Sequence, residues 1–197
     1  MTSLELLNLF NIEDIHSLPD AVMSVLESDI ERRDEIYRQL LEMNNYDLSY
    51  DWFSNIYEEE LAQRKQNKQD FTPNQVARLC SLLTGLPEGK VHEPTAGNGS
   101  MLIADWNNRC RNVLPWEHLP SKNVFTCWEL SNRAIPILLL NLSIRGMMGF
   151  VYHGDVLTME LKMKYVLLNR KDDTFAFSEI HKDPENKLKI IKKEKSL

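Results

Sequence analysis

The segment His92-Glu93-Pro94-Thr95-Ala96-Gly97-Asn98-Gly99-Ser100-Met101-Leu102 restricts the fold more than any other stretch of this 197-residue chain. A short apolar run from Lys90 to Glu93 enters it, and a helix-periodic run from Ser100 to Cys110 leaves it, so it reads as strand, glycine turn, helix. Two glycines let the backbone turn tightly and approach a ligand at the carboxyl edge of a sheet. The same alternation continues downstream. Strands are predicted at Val124 to Trp128, Phe150 to His153 and Tyr165 to Leu168, with a second helix from Asn132 to Gly146 and a polar loop around Pro115, Trp116 and Pro120. Strands that alternate with helices form parallel sheets with crossover connections. The expected class is therefore α/β, with a doubly wound, mostly parallel sheet.

The flanks read differently. Val22, Val25, Leu26, Ile30, Ile36, Tyr37, Leu40 and Leu41 predict one long amphipathic helix from Leu18 to Met43, after a Ser17-Leu18-Pro19-Asp20 start signal. Trp52, Phe53, Ile56, Tyr57 and Leu61 mark another helix, and the polar stretch Gln63 to Asp70 reads as a linker. These features divide the chain into a helical N-terminal region, residues 1–68, and a sheet domain, residues 69–197. Thr72-Pro73 supplies an N-cap and first-turn proline for a helix whose apolar stripe is Val76, Leu79, Leu82 and Leu83, stopped by Gly85. At the far end Phe175, Phe177 and Ile180, a turn at Asp183-Pro184-Glu185-Asn186, and Leu188, Ile190 and Ile191 predict an antiparallel β-hairpin.

Charge is distributed unevenly. Residues 1–70 carry a net charge of −10, residues 71–160 are balanced, and residues 161–197 carry +4. An acidic N-terminal third repels a polyanion, so any contact with DNA is expected from the remainder; Lys187, Lys189, Lys192, Lys193 and Lys195 are able to contact phosphates, though a solvated hairpin end explains them more simply. The acidic helices are the expected surface for a protein partner. Cys80, Cys110 and Cys127 are odd in number and far apart, which fits neither a disulfide framework nor a metal site and predicts a reducing, cytoplasmic location. The longest apolar run, near Ile137 to Leu140, is far short of a membrane span, so no membrane association is expected.

Three features accompany the glycine loop in a fixed order. Glu129 follows the second strand, where a carboxylate can accept hydrogen bonds from both hydroxyls of a ribose. Asp155 ends the third, placed to accept from an adenine amino group. Phe71-Thr72-Pro73 precedes the loop by about one helix. As an ordered set they resemble the modification subunits of type I restriction-modification systems and their N6-adenine DNA methyltransferase relatives, over roughly Gln69 to Asn169. The resemblance implies a Rossmann-like S-adenosylmethionine-dependent methyltransferase fold. It places Phe71, Thr72 and Pro73 against the methionine end of S-adenosylmethionine. Around the carboxylate and amino group it places Glu93, Pro94, Thr95, Ala96, Gly97 and Gly99, with Glu129 on the ribose and Asp155 on the adenine. No Gly-Lys-Ser/Thr follows the glycines to hold phosphates, which fits adenosylmethionine better than a nucleoside triphosphate.

The family also carries an Asn/Asp-Pro-Pro-aromatic motif after its fourth strand, whose oxygens accept from the adenine amino group and whose ring stacks on a flipped base. Here the corresponding stretch is Leu168-Asn169-Arg170-Lys171-Asp172, so Asn169 is the single candidate catalytic residue. Arg170 and Lys171 donate hydrogen bonds and cannot accept them. With 28 residues after Asn169, no base-reading module is legible. Two readings follow: a truncated adenine-N6 DNA methyltransferase-like protein of a phage or mobile element, or a catalytically inactive methyltransferase-fold protein acting through protein contacts. Methylation of a small molecule or a protein is a third, for which no positioned base is evident.

Overall fold

In the computed structural model, which describes residues 1–56, 72–84 and 88–185, the chain begins with a reciprocally capped helix. Thr2 Oγ1 accepts from Glu5 N and Glu5 Oε2 accepts from Thr2 N, starting α1 (Ser3–Phe10). The expected long helix is two: a 3₁₀ turn at Ile15–Ser17 leads into α2 (Leu18–Leu26), and α3 (Ile30–Met43) starts anew. The break is local chemistry. Ser28 Oγ bonds back to Val25 O, and Asp29, in extended conformation, accepts from Arg32 N at 2.8 Å as an N-cap. A short turn, α4 (Ser54–Ile56), precedes α5 (Asn74–Thr84). Tyr57, Leu61, Gln63 to Asp70, Phe71 and Gly85 lie outside the described residues.

The sheet comprises β1 (Val91–Glu93), β2 (Phe125–Glu129), β3 (Gly149–Asp155), β4 (Glu160–Leu168) and β5 (Glu179–Lys182). Their spatial order is their chain order. The first three are parallel, joined through α6 (Ser100–Arg111) and α7 (Ala134–Ile144), whereas β3–β4 and β4–β5 are antiparallel. The doubly wound expectation is thus corrected: among the described residues the sheet is mixed, and its strand order never reverses. Only residues 156–159 separate β3 from β4. A parallel crossover needs about a dozen residues, so this link can only fold back. Met159 makes the turn in the left-handed region, at φ 60°. Of the expected C-terminal hairpin, the first strand is β5, which pairs with β4, and Leu188, Ile190 and Ile191 lie outside the described residues.

α7 is apolar around its circumference, and all of its residues are buried. A helix of that kind must be covered on every side. One side meets the sheet face formed by Phe125, Cys127, Val151, Tyr165 and Leu167, and another meets α2. Leu6, Leu18, Val22 and Tyr37 join the same buried cluster, so the N-terminal helices close on no core of their own. On the opposite sheet face Trp128 and Tyr152 stack, and Lys164 Nζ lies over Phe150 and pairs with Asp183 at 3.1 Å. α5 corrects a further expectation. Its stripe of Val76, Leu79, Leu82 and Leu83 is exposed, and it packs on α6 through the small residues Ala77 and Ser81, with Asn108 Nδ2 donating to Ser81 O. Among the described residues no helix is long and apolar enough to cross a membrane.

Candidate functional site

The link between β1 and α6 is shaped by two left-handed residues, Gly97 at φ 55° and Gly99 at φ 95°. A Cβ on Gly99 would come within 2.9 Å of Leu138 Cδ1, so this glycine also permits close packing on α7. Ala96 N donates to Trp128 O at 2.8 Å and Gly97 N to Glu129 Oε2 at 2.7 Å, which moors the loop to the end of β2. The other Glu129 oxygen accepts from Ser131 N at 2.7 Å. Burial pushes the Glu129 carboxyl above its usual range, against the N–H groups of Ser131, Gly97 and Leu130 that favour the anion. A carboxylate has about four acceptor positions, and these amides do not fill them all, so Glu129 can still accept from a ligand.

These elements wall a cavity of about 630 Å³ at the carboxyl ends of β1, β2 and β3. That size lies within the range of small-molecule sites, roughly 300–1,000 Å³. Of the sequence-predicted residues, the structure brings together Thr72, Glu93, Pro94, Thr95, Ala96, Gly97, Glu129 and Asp155 on its wall. Pro73 and Gly99 do not line it: Pro73 contributes its carbonyl to the first turn of α5, and Gly99 faces α7. Phe71 lies outside the described residues. A bulge at His153/Gly154 shifts the register of the β3–β4 ladder just before Asp155, whose Oδ1 accepts from Leu157 N at 2.8 Å. Glu93 Oε1 accepts from Thr95 N.

Sequence reading missed several wall residues. Val76 and Cys80, four apart on α5, present one side of that helix to the cavity together with Thr72, a spacing that could have been noticed. Asn98 also lines the wall, is 1% exposed, and has no partner for either side-chain amide atom. Behind the loop lies a buried polar network absent from the sequence reading. Asp51 accepts from Asn141 Nδ2 at 2.8 Å and from Ser100 Oγ at 3.2 Å, and Asn141 Nδ2 also donates to Asn98 O at 3.0 Å. Arg145 donates to the carbonyls of Leu48, Tyr50 and Asn141 and lies 5.0 Å over the Trp52 ring. Burial brings the Arg145 guanidinium down to about 10, with Asp51 acting in the opposite sense, and burial raises the Asp51 carboxyl.

Asn169 is elsewhere. Because β4 runs antiparallel to β3, its final residues stand beside Gly149, at the amino end of the parallel strands. The length of β3, seven residues and about 20 Å, separates that edge from Asp155. Asn169 is buried, its Nδ2 within bonding distance of the carbonyls of Gly146, Asp173 and Ala176, and its Oδ1 accepting from Asp173 N. Asn169 therefore closes a loop and does not line the cavity that gathers the other predicted residues. A family model described as N-6 DNA methylase matches residues 48–184, a span that includes Asp51, the whole cavity wall and Asn169. No curated protein is similar enough to match the chain.

Proposed function

The chain belongs to the N-6 DNA methylase family, and on that premise we propose that it binds S-adenosylmethionine in the cavity at the ends of β1, β2 and β3. Its general character is that of a DNA adenine methyltransferase. The observation that carries the cofactor reading is the chemistry of the wall. Glu93, Glu129 and Asp155 line it, and among the described residues no Lys or Arg does. Such a wall disfavours phosphates and favours a ligand with cationic centres and several hydrogen-bond donors. S-adenosylmethionine has a sulfonium, an ammonium, two ribose hydroxyls and an adenine amino group. Glu129 would hold the ribose hydroxyls with its remaining acceptor positions, Asp155 the adenine amino group, and the loop before α6 the amino-acid end. When bound, the cofactor supplies an activated methyl group.

A second reading, favoured by the position of Asn169, limits what this chain does alone. Adenine N6 needs acceptors and a stacking ring near the methyl group. Asn169 is committed to a loop at the opposite sheet edge, and Arg170 Nε pairs with Glu179 at 2.8 Å. We therefore infer cofactor binding without independent adenine methylation, in a restriction-modification setting of phage or mobile-element type, with base handling supplied by another protein. Titration calorimetry with S-adenosylhomocysteine should show binding. Mass spectrometry of unmethylated DNA incubated with protein and S-adenosylmethionine should show no N6-methyladenine above background. Absence of calorimetric binding would refute the first statement, and robust methylation would refute the second.

A further inference from the structure

α5 borders a second hollow, of about 260 Å³. Val76 and Cys80 lie on one side of this helix and face the first cavity, whereas Gln75, Arg78 and Leu82 lie on another and face the second. Ala104, Asn107, Asn108 and Arg111, which share one side of α6, form the facing wall, and Asn108 Nδ2 ties the two helices by donating to Ser81 O at 3.2 Å. The charge is the reverse of that around the cofactor cavity. Arg78 and Arg111 line this hollow, and among the described residues no Asp or Glu does. The acids nearby are committed elsewhere: Asp105 pairs with Arg109 at 2.6 Å, and Asp51 accepts from Ser100 and Asn141. The Asp47 carboxyl is held below its usual range by its bonds from Ser49 and, to a smaller degree, by the charge of Arg111. Among the described residues neither the Arg78 nor the Arg111 guanidinium makes a hydrogen bond or an ion pair.

Two cations brought to one hollow repel each other, and an anion between them turns that repulsion into attraction. We propose that this hollow binds the phosphate group of a nucleic acid strand. Each guanidinium is a planar fork of donors that matches two phosphate oxygens at once. The carboxamides of Gln75 and Asn107, which have no bond among the described residues, add neutral donors on the two walls. The volume falls below the roughly 300–1,000 Å³ of sites that enclose a whole small molecule, and it suits one group of a chain that continues past the opening. Two observations point to a strand as the source of the phosphate. The family model that matches the chain is that of a DNA methylase, and the hollow shares Ser100 with the cofactor cavity, so a strand held here passes beside the methyl donor's site. Phosphate binding here does not depend on occupation of the cofactor cavity.

The test titrates labelled duplex DNA of mixed sequence with the intact protein, with Arg78→Gln, with Arg111→Gln and with the double variant, by fluorescence anisotropy at several salt concentrations. Arg32→Gln, which removes an exposed charge from α3, is the control. The double variant should bind DNA about tenfold more weakly, and the slope of its log affinity against log salt should be shallower by about one to two. Its S-adenosylhomocysteine affinity and its melting temperature should match the parent's, because neither arginine lines the cofactor cavity or bonds within the fold. Inorganic phosphate is titrated by calorimetry in parallel. Phosphate binding that disappears in the double variant while DNA affinity is unchanged would assign the hollow to a free anion and overturn the strand as its ligand. DNA affinity unchanged in the double variant without any phosphate effect, a loss as large in Arg32→Gln, or an intact protein that binds no DNA would each overturn the proposal and leave the cofactor reading untouched.

Discussion

Glu129 bears on two partners at once. Its Oε2 holds the Gly97 amide and its Oε1 the Ser131 amide, so the carboxylate shapes the loop that it is also placed to assist in binding. Glu129→Ala should therefore weaken S-adenosylhomocysteine binding by roughly 1–3 kcal/mol, the range for a lost charged hydrogen-bonding group. Titration calorimetry reads this directly, and an unchanged affinity would remove Glu129 from the site. The placement of this acid at the end of the second strand was legible in the sequence, because an acid after a short apolar run behind a glycine turn has few other locations. Its bond to Gly97 was not legible, since it depends on a left-handed φ that brings one amide to face another strand. Asn98 was passed over between its glycines because a polar residue in a turn ordinarily faces water. Only coordinates reveal that it is buried and unpartnered.

The direction of β4 decides more than any side chain on it. The sequence reading placed this strand at Tyr165 to Leu168 and missed the alternation of Leu161, Met163 and Tyr165 with Lys162 and Lys164, which starts the strand at Glu160. With four residues left for the connection, the hairpin was inevitable and Asn169 was carried to the far edge. Asn169→Ala would leave the buried carbonyls of Gly146 and Ala176 short of a donor. It should lower unfolding stability by about 1–3 kcal/mol, read from urea denaturation, and leave S-adenosylhomocysteine affinity unchanged. Loss of affinity with stability intact would return Asn169 to the site. The break between α2 and α3 was within reach of the sequence, as Ser28-Asp29 is an ordinary N-cap signal overridden by apolar spacing. The exposure of the α5 stripe was not, because nothing in a hydrophobic pattern says that a helix will dock through Ala77 and Ser81.

Across the whole molecule, Asp51 joins the N-terminal third to the glycine loop, through Ser100 on one oxygen and Asn141 on the other. A division at residue 68 separates compositions, and the buried network crosses it. Burial raises the Asp51 carboxyl above its ordinary 3.8, so the folded chain holds a proton that the unfolded chain releases. Stability assignable to this group is therefore unaffected below about pH 4 and declines as pH rises through the raised value. Asp51→Asn keeps an acceptor for Phe53 N and Asn141 and lets Ser100 Oγ accept in turn. Its stability relative to the parent should climb as pH rises above about 4 in urea titrations; a difference that stays constant with pH would show that the group keeps its ordinary titration on folding. The strand order has a consequence in time. When spatial order equals chain order, every strand docks on the edge formed just before it, and no early edge waits for a distant segment. Loop closure stays short, and topologies with near neighbours in contact are the quicker to form. The sheet can therefore grow in the direction of synthesis, from β1 to β5, beginning with the strand that carries the glycine loop.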